Sequence, residues 1–310
     1  MMSGQDSERR PLGASGVDVS VVGLGGYWLG GTDPAAAASV LEASLAAGVD
    51  WVDTAEGYFD GANEANLGQA LRSVPAMKVG SKVSPWRTQL TSSGVRGACE
   101  ASLRRLGREQ VDVYLVHAPR PEVALEETWT AMANLVGDGL VRSIGLSNYT
   151  IEDIRLAHAI RPVDVVQDGL SLIDNLAGRE LFAACGQLGI ASVVYEPLAN
   201  ALLTGTITSD TDLSDQREWP LIFERLFAPG RFERSLDVVA RLRALAQDWG
   251  HSVSQVAIAW CTHQSGVASV LAGTTSSRHA RSNAFAGSIR LTGEQLADLE
   301  ALIPLGPAFL

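Results

Sequence analysis

The sequence predicts an α/β fold, a closed (β/α)8 TIM barrel that forms a single domain over residues 1–310. Eight short runs rich in β-branched residues alternate with segments of helical periodicity, and the first seven runs begin 23 to 34 residues apart. Strands and helices in regular alternation indicate a parallel sheet. An open doubly wound sheet also fits the alternation, but the near-uniform spacing and the count of eight favour a closed barrel.

The eight predicted strands can be read directly from the sequence. They cover residues 21–25, 51–53, 77–82, 111–117, 141–147, 164–167, 190–195 and 267–273. The helix after the first strand is marked most clearly, because Asp33 can cap it, Pro34 suits its first position and Gly48 follows its end.

Three further elements account for the length beyond a minimal barrel. We expect an N-terminal β-hairpin around residues 12–20 and a long loop after strand 7, over about residues 199–235, whose role the sequence leaves open. A C-terminal extra helix is predicted where Thr292 and Gln295 have the spacing of a capping box. The apolar residues Leu296, Leu299, Leu302 and Ile303 then recur on one helical face.

Composition excludes several classes of protein. The 24 basic and 35 acidic residues give a formal charge of −11, which repels nucleic acid and anionic lipid, so neither is an expected partner. No run of apolar residues is long enough for a membrane span, and we expect a cytoplasmic protein. The three cysteines have no metal-ligand spacing, so we expect no metal site and no disulfide framework.

Four ionisable side chains follow neighbouring predicted strands. Asp53 ends the second strand, Tyr58 lies five residues further on, Lys82 ends the third strand and His117 ends the fourth. Because the carboxyl ends of barrel strands share one mouth, we expect these groups to meet. Each could instead serve packing or capping alone, but the chain holds only two lysines, which makes one at a strand end less typical of surface charge.

The chemistry that these four groups support is proton delivery to a carbonyl oxygen. We expect the Lys82 cation to lower the pKa of Tyr58 and the Asp53 carboxylate to hold that cation in place. His117 would orient the substrate oxygen. Acid catalysis of this kind contributes about 10²- to 10⁴-fold in rate, so a hydride donor is needed as well.

These motifs resemble those of the aldo-keto reductases. Residues 52–58 (VDTAEGY), 81–83 (SKV) and 115–119 (LVHAP) are similar to the family segments that carry its catalytic Asp, Tyr, Lys and His. The resemblance extends from about residue 12 to residue 283. It implies a (β/α)8 barrel that transfers a hydride from NADPH to an aldehyde or ketone, with Tyr58 as the proton donor.

The resemblance also implies a set of cofactor-binding residues. IGLSNY (144–149) is similar to the segment that binds the nicotinamide carboxamide. The implied contacts in the first seven units are Ser147, Asn148, Gln167, the stacking ring of Tyr195, Leu198, Leu203 and Thr204.

The segment after the eighth strand opens a helix whose free N–H groups favour an anion, although ordinary hydroxyl capping explains its spacing equally well. The resemblance favours the anion and implies contacts from Gly273, Thr274, Thr275, Ser277, Arg278 and Asn283. Thr275 stands where relatives commonly carry a basic residue, and Arg278 can substitute for it. We therefore expect NADP(H), with NAD(H) still open.

Substrate and direction remain open in the sequence. Trp28 and Trp86 fall on loops at the expected mouth and either wall the substrate pocket or pack the loops. The partner is expected to be a small carbonyl or alcohol, and the oligomeric state is undetermined. Besides a carbonyl reductase, a sugar or alcohol dehydrogenase working towards oxidation and a cofactor-binding regulatory subunit fit the same residues. Trp28 at the third glycine position of GxGxxG leaves the Rossmann fingerprint incomplete.

Overall fold

A computed structural model of the chain describes residues 8–217 and 220–302 and contains a closed barrel of eight parallel strands. The predicted fold class is confirmed. A two-stranded antiparallel sheet, β1 and β2, precedes the barrel, and β10 pairs with both β3 and β9 to close it. The strands are β1 Arg9–Pro11, β2 Asp18–Ser20, β3 Val22–Gly25, β4 Trp51–Asp53, β5 Lys78–Val83, β6 Val111–Val116, β7 Val141–Ser147, β8 Val165–Gly169, β9 Ala191–Tyr195 and β10 Val267–Gly273.

Helices surround this barrel. They are α1 Pro34–Ala46, α2 Ala62–Ala70, α3 Ser92–Leu106, α4 Leu125–Gly137, α5 Ile151–Ile160, α6 Leu176–Gln187, α7 Ser214–Arg217, α8 Pro220–Ile222, α9 Arg231–Asp248, α10 Val253–Thr262, α11 Ser277–Ala286 and α12 Gly293–Leu302. Short 3-10 helices cover Tyr27–Gly31, Tyr58–Gly61, Leu71–Ser73 and Leu202–Thr204. As predicted, the Asp33 side chain caps α1 by accepting a hydrogen bond from the Ala35 N–H at 3.4 Å.

Side chains on the barrel strands alternate between two cores, because successive residues of a strand face opposite sides. In β6, Val113 and Leu115 face the barrel interior, where they pack with Trp51. Tyr114, between them, is buried in the larger core between strands and helices. The same alternation decides which residues of β5 can reach the centre of the barrel.

The hairpin closes the N-terminal end of the barrel. The predicted position around residues 12–20 is wrong for its first strand, which covers Arg9–Pro11, while the second covers Asp18–Ser20. Leu12 and Val17 lie in the connection between these strands and are fully buried in the barrel interior. The apolar residues around Leu12 therefore fill the N-terminal end of the barrel interior.

The long loop after β9 contains short helical segments before α9 begins at Arg231. It ends a few residues earlier than expected, because the Glu233 carboxylate accepts the Gly230 N–H and so caps α9 there. A π-helical turn covers Phe223–Phe227. Within it, Arg225 forms ion pairs with Glu196 and Asp174, which attach this part of the loop to the barrel mouth.

The C-terminal helix α12 begins as predicted. The Thr292 N–H donates to Gln295 Oε1 at 2.9 Å, and the Gln295 N–H donates to Thr292 Oγ1 at 3.2 Å. Ile303, the last predicted apolar position, lies outside the described residues. Over residues 8–217 and 220–302, no helix combines the length and apolar character that crossing a membrane requires.

Candidate active site

The four predicted catalytic side chains meet at the carboxyl ends of β4, β5 and β6. Asp53 is the last residue of β4, Lys82 lies one residue before the end of β5, and His117 directly follows β6. Tyr58 opens the 3-10 helix that follows β4. The Lys82 Nζ atom contacts an Asp53 carboxylate oxygen and lies 3.4 Å from the Tyr58 hydroxyl oxygen. The convergence expected from sequence is thus present in the structure.

Lys82 is a buried cation with a complete set of partners. Only 1 % of the residue is exposed, and its ammonium donates to Asp53, to Tyr58 and to the Thr54 carbonyl oxygen at 2.8 Å. Burial alone would lower the pKa of Lys82, but the Asp53 carboxylate and the Tyr58 hydroxyl outweigh it and raise the pKa. The second Asp53 oxygen accepts a hydrogen bond from Gln167 Nε2 at 3.2 Å. The cation is therefore held charged and fixed in place.

Tyr58 differs from expectation in its acidity. Burial raises the pKa of Tyr58, the Lys82 charge opposes that rise, and the net pKa lies above the ordinary value of 10.0. Our expectation of a net lowering was wrong, because it counted the cation and omitted the cost of placing a phenolate in a buried site. The hydroxyl is consequently protonated at neutral pH.

His117 is a neutral imidazole at the edge of the same site. Burial, together with the Lys82 charge, lowers its pKa to about 2. Its ring lies 5.5 Å from the Tyr58 ring in an edge-on arrangement and 4.6 Å from the Trp86 ring. Ser84 Oγ lies 2.9 Å from His117 Nδ1. The imidazole can therefore donate or accept a hydrogen bond near Tyr58 without carrying a charge.

The residues expected at the nicotinamide form a hydrogen-bonded group beside the four predicted catalytic side chains. The Tyr195 hydroxyl donates to Asn148 Oδ1 at 2.7 Å. Asn148 Nδ2 donates to the His117 carbonyl oxygen at 2.9 Å and to Ser147 Oγ at 3.0 Å. Gln167 joins the two groups through its bond to Asp53. Residues at or near the carboxyl ends of β7, β8 and β9 thus lie beside the four predicted catalytic side chains.

The three expected cofactor contacts in the loop after β9 differ in the chemical groups that they can present to a ligand. Leu203 is fully buried, so only its backbone is available to a ligand. Leu198 is half-buried, and the Thr204 hydroxyl donates to the Ala201 carbonyl oxygen at 2.7 Å. These positions can present backbone groups at the mouth of the barrel.

The segment after β10 places polar groups at the start of α11. The Ser276 N–H donates to Thr274 Oγ1 at 3.1 Å, while the Ser277 hydroxyl donates to the Ser39 carbonyl oxygen at 3.0 Å and so contacts α1. Arg278 is exposed, with its guanidinium 2.9 Å from His279 Nε2. Among the remaining expected residues, Gly273 and Thr275 are exposed and Asn283 is buried.

The two predicted pocket tryptophans are exposed aromatic surfaces. Trp28 is 55 % exposed and lies edge-on to Tyr27, with ring centroids 5.0 Å apart. Trp86 is 59 % exposed and packs against His117. Tyr27 in turn packs edge-on against Tyr58 at 4.9 Å. Aromatic rings therefore continue from Tyr58 and His117 to the exposed Trp28 and Trp86 at the barrel mouth.

A comparison with protein families matches the Aldo/keto reductase family model to residues 21–304. This match covers nearly the whole chain and includes every residue of the site described above. The chain belongs to the aldo/keto reductase family. The structure and the sequence resemblance therefore agree on the family.

Individual relatives of this aldo/keto reductase span almost its full length. A curated protein from Glycine max, "Probable aldo-keto reductase 1", is 30% identical over 311 residues, which is 95% of this chain and 88% of that protein. An aldo/keto reductase from Klebsiella pneumoniae, solved with NADP and acetate, is 29% identical and has a TM-score of 0.77, with 95% of each chain covered. A glycerol dehydrogenase from Gluconobacter oxydans, 23% identical with a TM-score of 0.85 over 97% of this chain and 98% of that chain, supports the fold alone.

Sequence reasoning missed Ser84, Glu56 and Tyr27 in this aldo/keto reductase. Glu56 Oε1 accepts the Ser84 N–H at 2.7 Å, and Ser84 contacts His117, one of the predicted catalytic residues. A signal for Ser84 was present, since it stands two residues after Lys82 and strand alternation places it on the same side. Tyr27 gave no signal, because its approach to Tyr58 depends on how two loops fold against each other.

A shallow groove of about 610 Å³ lies at the opposite, N-terminal end of the barrel, beside the hairpin. Arg10 lines it, but its guanidinium already donates to the carbonyl oxygens of Thr262 and Val267 at 2.9 and 2.7 Å. His263 is likewise bonded, through Nδ1 to the Ala259 carbonyl oxygen at 2.7 Å. These two side chains are thus engaged in hydrogen bonds to the backbone, whereas the predicted site residues lie at the other end of the barrel. In the part of the chain that the structure describes, no group of acidic, Cys and His side chains could hold a metal ion.

Proposed function

We propose that this protein is an NADP(H)-dependent oxidoreductase that reduces an aldehyde or ketone by hydride transfer, with Tyr58 as the proton donor. The observation that carries the proposal is the buried Lys82 ammonium in contact with both the Asp53 carboxylate and the Tyr58 hydroxyl. A neutral phenol beside a fixed cation is suited to releasing a proton to a developing alkoxide.

The residues present fit a nicotinamide cofactor. The Tyr195 ring lies against Gly169, where a Cβ atom would come within 3.3 Å of it, and we assign this ring to stacking on the nicotinamide. Gln167 uses Nε2 for Asp53, and among the described residues its Oε1 has no hydrogen-bond partner and can accept from a carboxamide. Ser147 and Asn148 supply further polar groups in the same place. When bound, NADP(H) supplies the hydride.

The phosphate end of such a cofactor would lie against the start of α11. Thr274, Thr275, Ser277 and the backbone after Gly273 surround the N-terminus of this ten-residue helix, which favours an anion. Arg278 adds an exposed guanidinium, which can donate two parallel hydrogen bonds to a phosphate. The Klebsiella pneumoniae relative was solved with NADP, which supports NADP(H) as the cofactor. Asn283 and the backbone of Leu198, Leu203 and Thr204 complete the proposed set.

Each catalytic side chain then has a separate task. Tyr58 donates its hydroxyl proton to the substrate oxygen, and Lys82 stabilises the negative charge left on the phenol oxygen. Asp53 and Gln167 keep the Lys82 ammonium in contact with Tyr58. His117, a neutral hydrogen-bonding group at the edge of the site, orients the substrate oxygen towards Tyr58.

The substrate side of the site favours a small carbonyl compound with an apolar or aromatic body. Tyr27 packs against Tyr58, Trp28 packs against Tyr27 and Trp86 packs against His117, and exposed aromatic rings bind such surfaces well. The complete set of four catalytic side chains argues against a regulatory subunit without turnover.

Replacement of Tyr58 by phenylalanine tests this function. We expect Tyr58→Phe to lower kcat for reduction of aldehydes and ketones by NADPH about 10²- to 10⁴-fold, because only the donated proton is lost. The control is Tyr114→Phe, which removes the same atom from a buried tyrosine on the helix side of β6 and should leave kcat unchanged. Unchanged rates for Tyr58→Phe on every substrate that the protein turns over would refute the assignment.

A further inference from the structure

The Ser84 side chain is fully buried and close to the catalytic imidazole. Ser84 is 0 % exposed, and its hydroxyl oxygen lies 2.9 Å from His117 Nδ1. Across residues 8–217 and 220–302, the structure gives this hydroxyl no other hydrogen-bond partner. Among the described residues, His117 Nδ1 is therefore the one atom that can accept a hydrogen bond from the buried Ser84 hydroxyl.

The direction of this hydrogen bond follows from the number of donors and acceptors. A neutral imidazole carries one proton, on either Nδ1 or Nε2. If Nδ1 donated to Ser84, the serine proton would be buried without an acceptor, which costs about 1–3 kcal/mol. If Ser84 donates instead, both groups are satisfied. The imidazole proton then lies on Nε2, which has no hydrogen-bond partner among the described residues.

Contacts with the segment that carries Tyr58 fix the position of Ser84. The Ser84 N–H donates to the buried Glu56 carboxylate at 2.7 Å, and the Ser84 carbonyl oxygen accepts the N–H groups of Arg87 and Thr88, each at 3.0 Å. A Cβ atom at Gly57 would lie 2.6 Å from Ser84 Oγ, so the absence of a side chain there lets the two segments meet. Residues 56 and 57 thus place Ser84 in register with Tyr58.

We propose that Ser84 is a positioning residue whose hydroxyl donates to His117 Nδ1 and so fixes the proton of the imidazole on Nε2, from which it donates to the substrate carbonyl oxygen. The last step rests on the proposed function. Two donors, Tyr58 and His117 Nε2, then converge on one oxygen and stabilise the charge that develops there. A fixed tautomer keeps the second donor in place in every protein molecule.

The tautomer can be read directly by ¹⁵N NMR of the whole protein labelled at histidine. We expect His117 to be protonated on Nε2 and unprotonated on Nδ1, with no change between about pH 5 and pH 9, because His117 is held neutral. The spectrum of His117→Asn assigns the signals among the five histidines. A proton on Nδ1 would overturn the proposal without reference to any activity.

A variant pair separates the positioning role from simple loss of a buried hydroxyl. We expect Ser84→Ala to shift the His117 Nδ1 resonance and to lower kcat about 3- to 10-fold, the worth of one neutral hydrogen bond, with little change in KM for the cofactor. Ser81→Ala is the control, since Ser81 is a buried serine of β5, three residues before Ser84, whose hydroxyl donates to the Glu64 carboxylate. It should leave both readouts unchanged.

The outcomes distinguish this proposal from the proposed function. An unshifted Nδ1 resonance in Ser84→Ala, or an equal loss of kcat in Ser81→Ala, would refute the role of Ser84. If Ser84→Ala does not fold, the tautomer of the unaltered protein still decides. Full activity of Tyr58→Phe would instead refute the proposed function, and the hydrogen bond between Ser84 and His117 would stand.

Discussion

In the proposed function, Tyr58 and His117 are the two residues whose ionisation sets the pH range of the reaction. Burial raises the pKa of Tyr58 above 10.0 despite the nearby Lys82 charge, and burial with that charge lowers the pKa of His117 from 6.5 to about 2. Neither group changes its protonation near neutral pH. The donor form, a protonated phenol beside a neutral imidazole, is therefore present over a wide range.

From these two pKa shifts we predict the pH profile of carbonyl reduction. The ratio kcat/KM should be flat from about pH 6 to about pH 9 and fall only above about pH 10, where Tyr58 loses its proton. The reverse oxidation, which needs the phenolate as base, should become faster as the pH rises. Steady-state rates in buffers of constant ionic strength test this, and an inflection near pH 6.5 in reduction would show that His117 titrates.

At the residue scale, sequence position predicts which side chains meet but not how acidic they are. Asp53, Lys82 and His117 could be placed together because they end adjacent parallel strands, which share one barrel mouth. The raised pKa of Tyr58 could not be predicted, because it depends on the depth of burial. Ser84 was detectable in principle, because it stands two residues after Lys82 and the alternation of side chains along a strand places both on the same side.

At the scale of single elements, helix α11 carries the proposed discrimination between NADPH and NADH. Its first turn combines backbone N–H groups, of which the His279 N–H donates to Ser276 Oγ, with hydroxyls and the exposed Arg278 guanidinium. Thr275 cannot supply the charge that a basic residue would bring to the same turn. The preference for the additional phosphate then depends mainly on Arg278.

We therefore predict that Arg278→Ala weakens NADPH binding about 10-fold, the effect of losing a charged hydrogen bond of about 1.5 kcal/mol, and leaves NADH binding nearly unchanged. Fluorescence titration with each cofactor measures both affinities. Arg72→Ala, a change in the 3-10 helix Leu71–Ser73, serves as the control. Equal losses for NADPH and NADH on Arg278→Ala would contradict the assignment.

The elements themselves were largely predictable from periodicity and capping. Each barrel strand lies within two residues of its predicted ends, and α12 begins at its predicted capping box. The first hairpin strand was misplaced because Arg9–Pro11 carries no β-branched residue, whereas Leu12 and Val17 looked strand-like and instead fill the barrel end. The short helices after β9 depend on long-range pairs such as Arg225 with Glu196 and were not foreseeable.

At the scale of the whole molecule, the site exists only because the barrel closes. Strand β7 approaches β8 so closely at Gly145 that a Cβ atom there would lie 2.0 Å from the Val165 carbonyl oxygen. Since that neighbour is backbone, a side chain at position 145 would have to separate the two strands. The positions on β7 and β8 that are proposed to bind nicotinamide would move with them.

We predict that Gly145→Ala lowers the free energy of unfolding by about 3 kcal/mol, the upper range for overpacking in a core. Gly97→Ala is the matched control, since Gly97 lies inside α3 and a methyl group added there would have no neighbouring atom within 4 Å. It should raise stability by about 0.5–1 kcal/mol, because alanine favours helix. Urea denaturation compares the two, and equal stability of both variants would contradict the close strand approach.

The two lysines of the chain provide the most direct test of the account. Lys82 contacts Tyr58 and Asp53 inside the mouth, while Lys78 pairs with Asp50 at the start of β5. We predict that Lys82→Met lowers kcat at least about 10²-fold, whereas Lys78→Met stays within about twofold of the unaltered protein. Turnover of one carbonyl substrate by the two folded variants is the decisive measurement. Equal activity of both variants would contradict the claim that a buried ammonium beside Tyr58 drives the reaction.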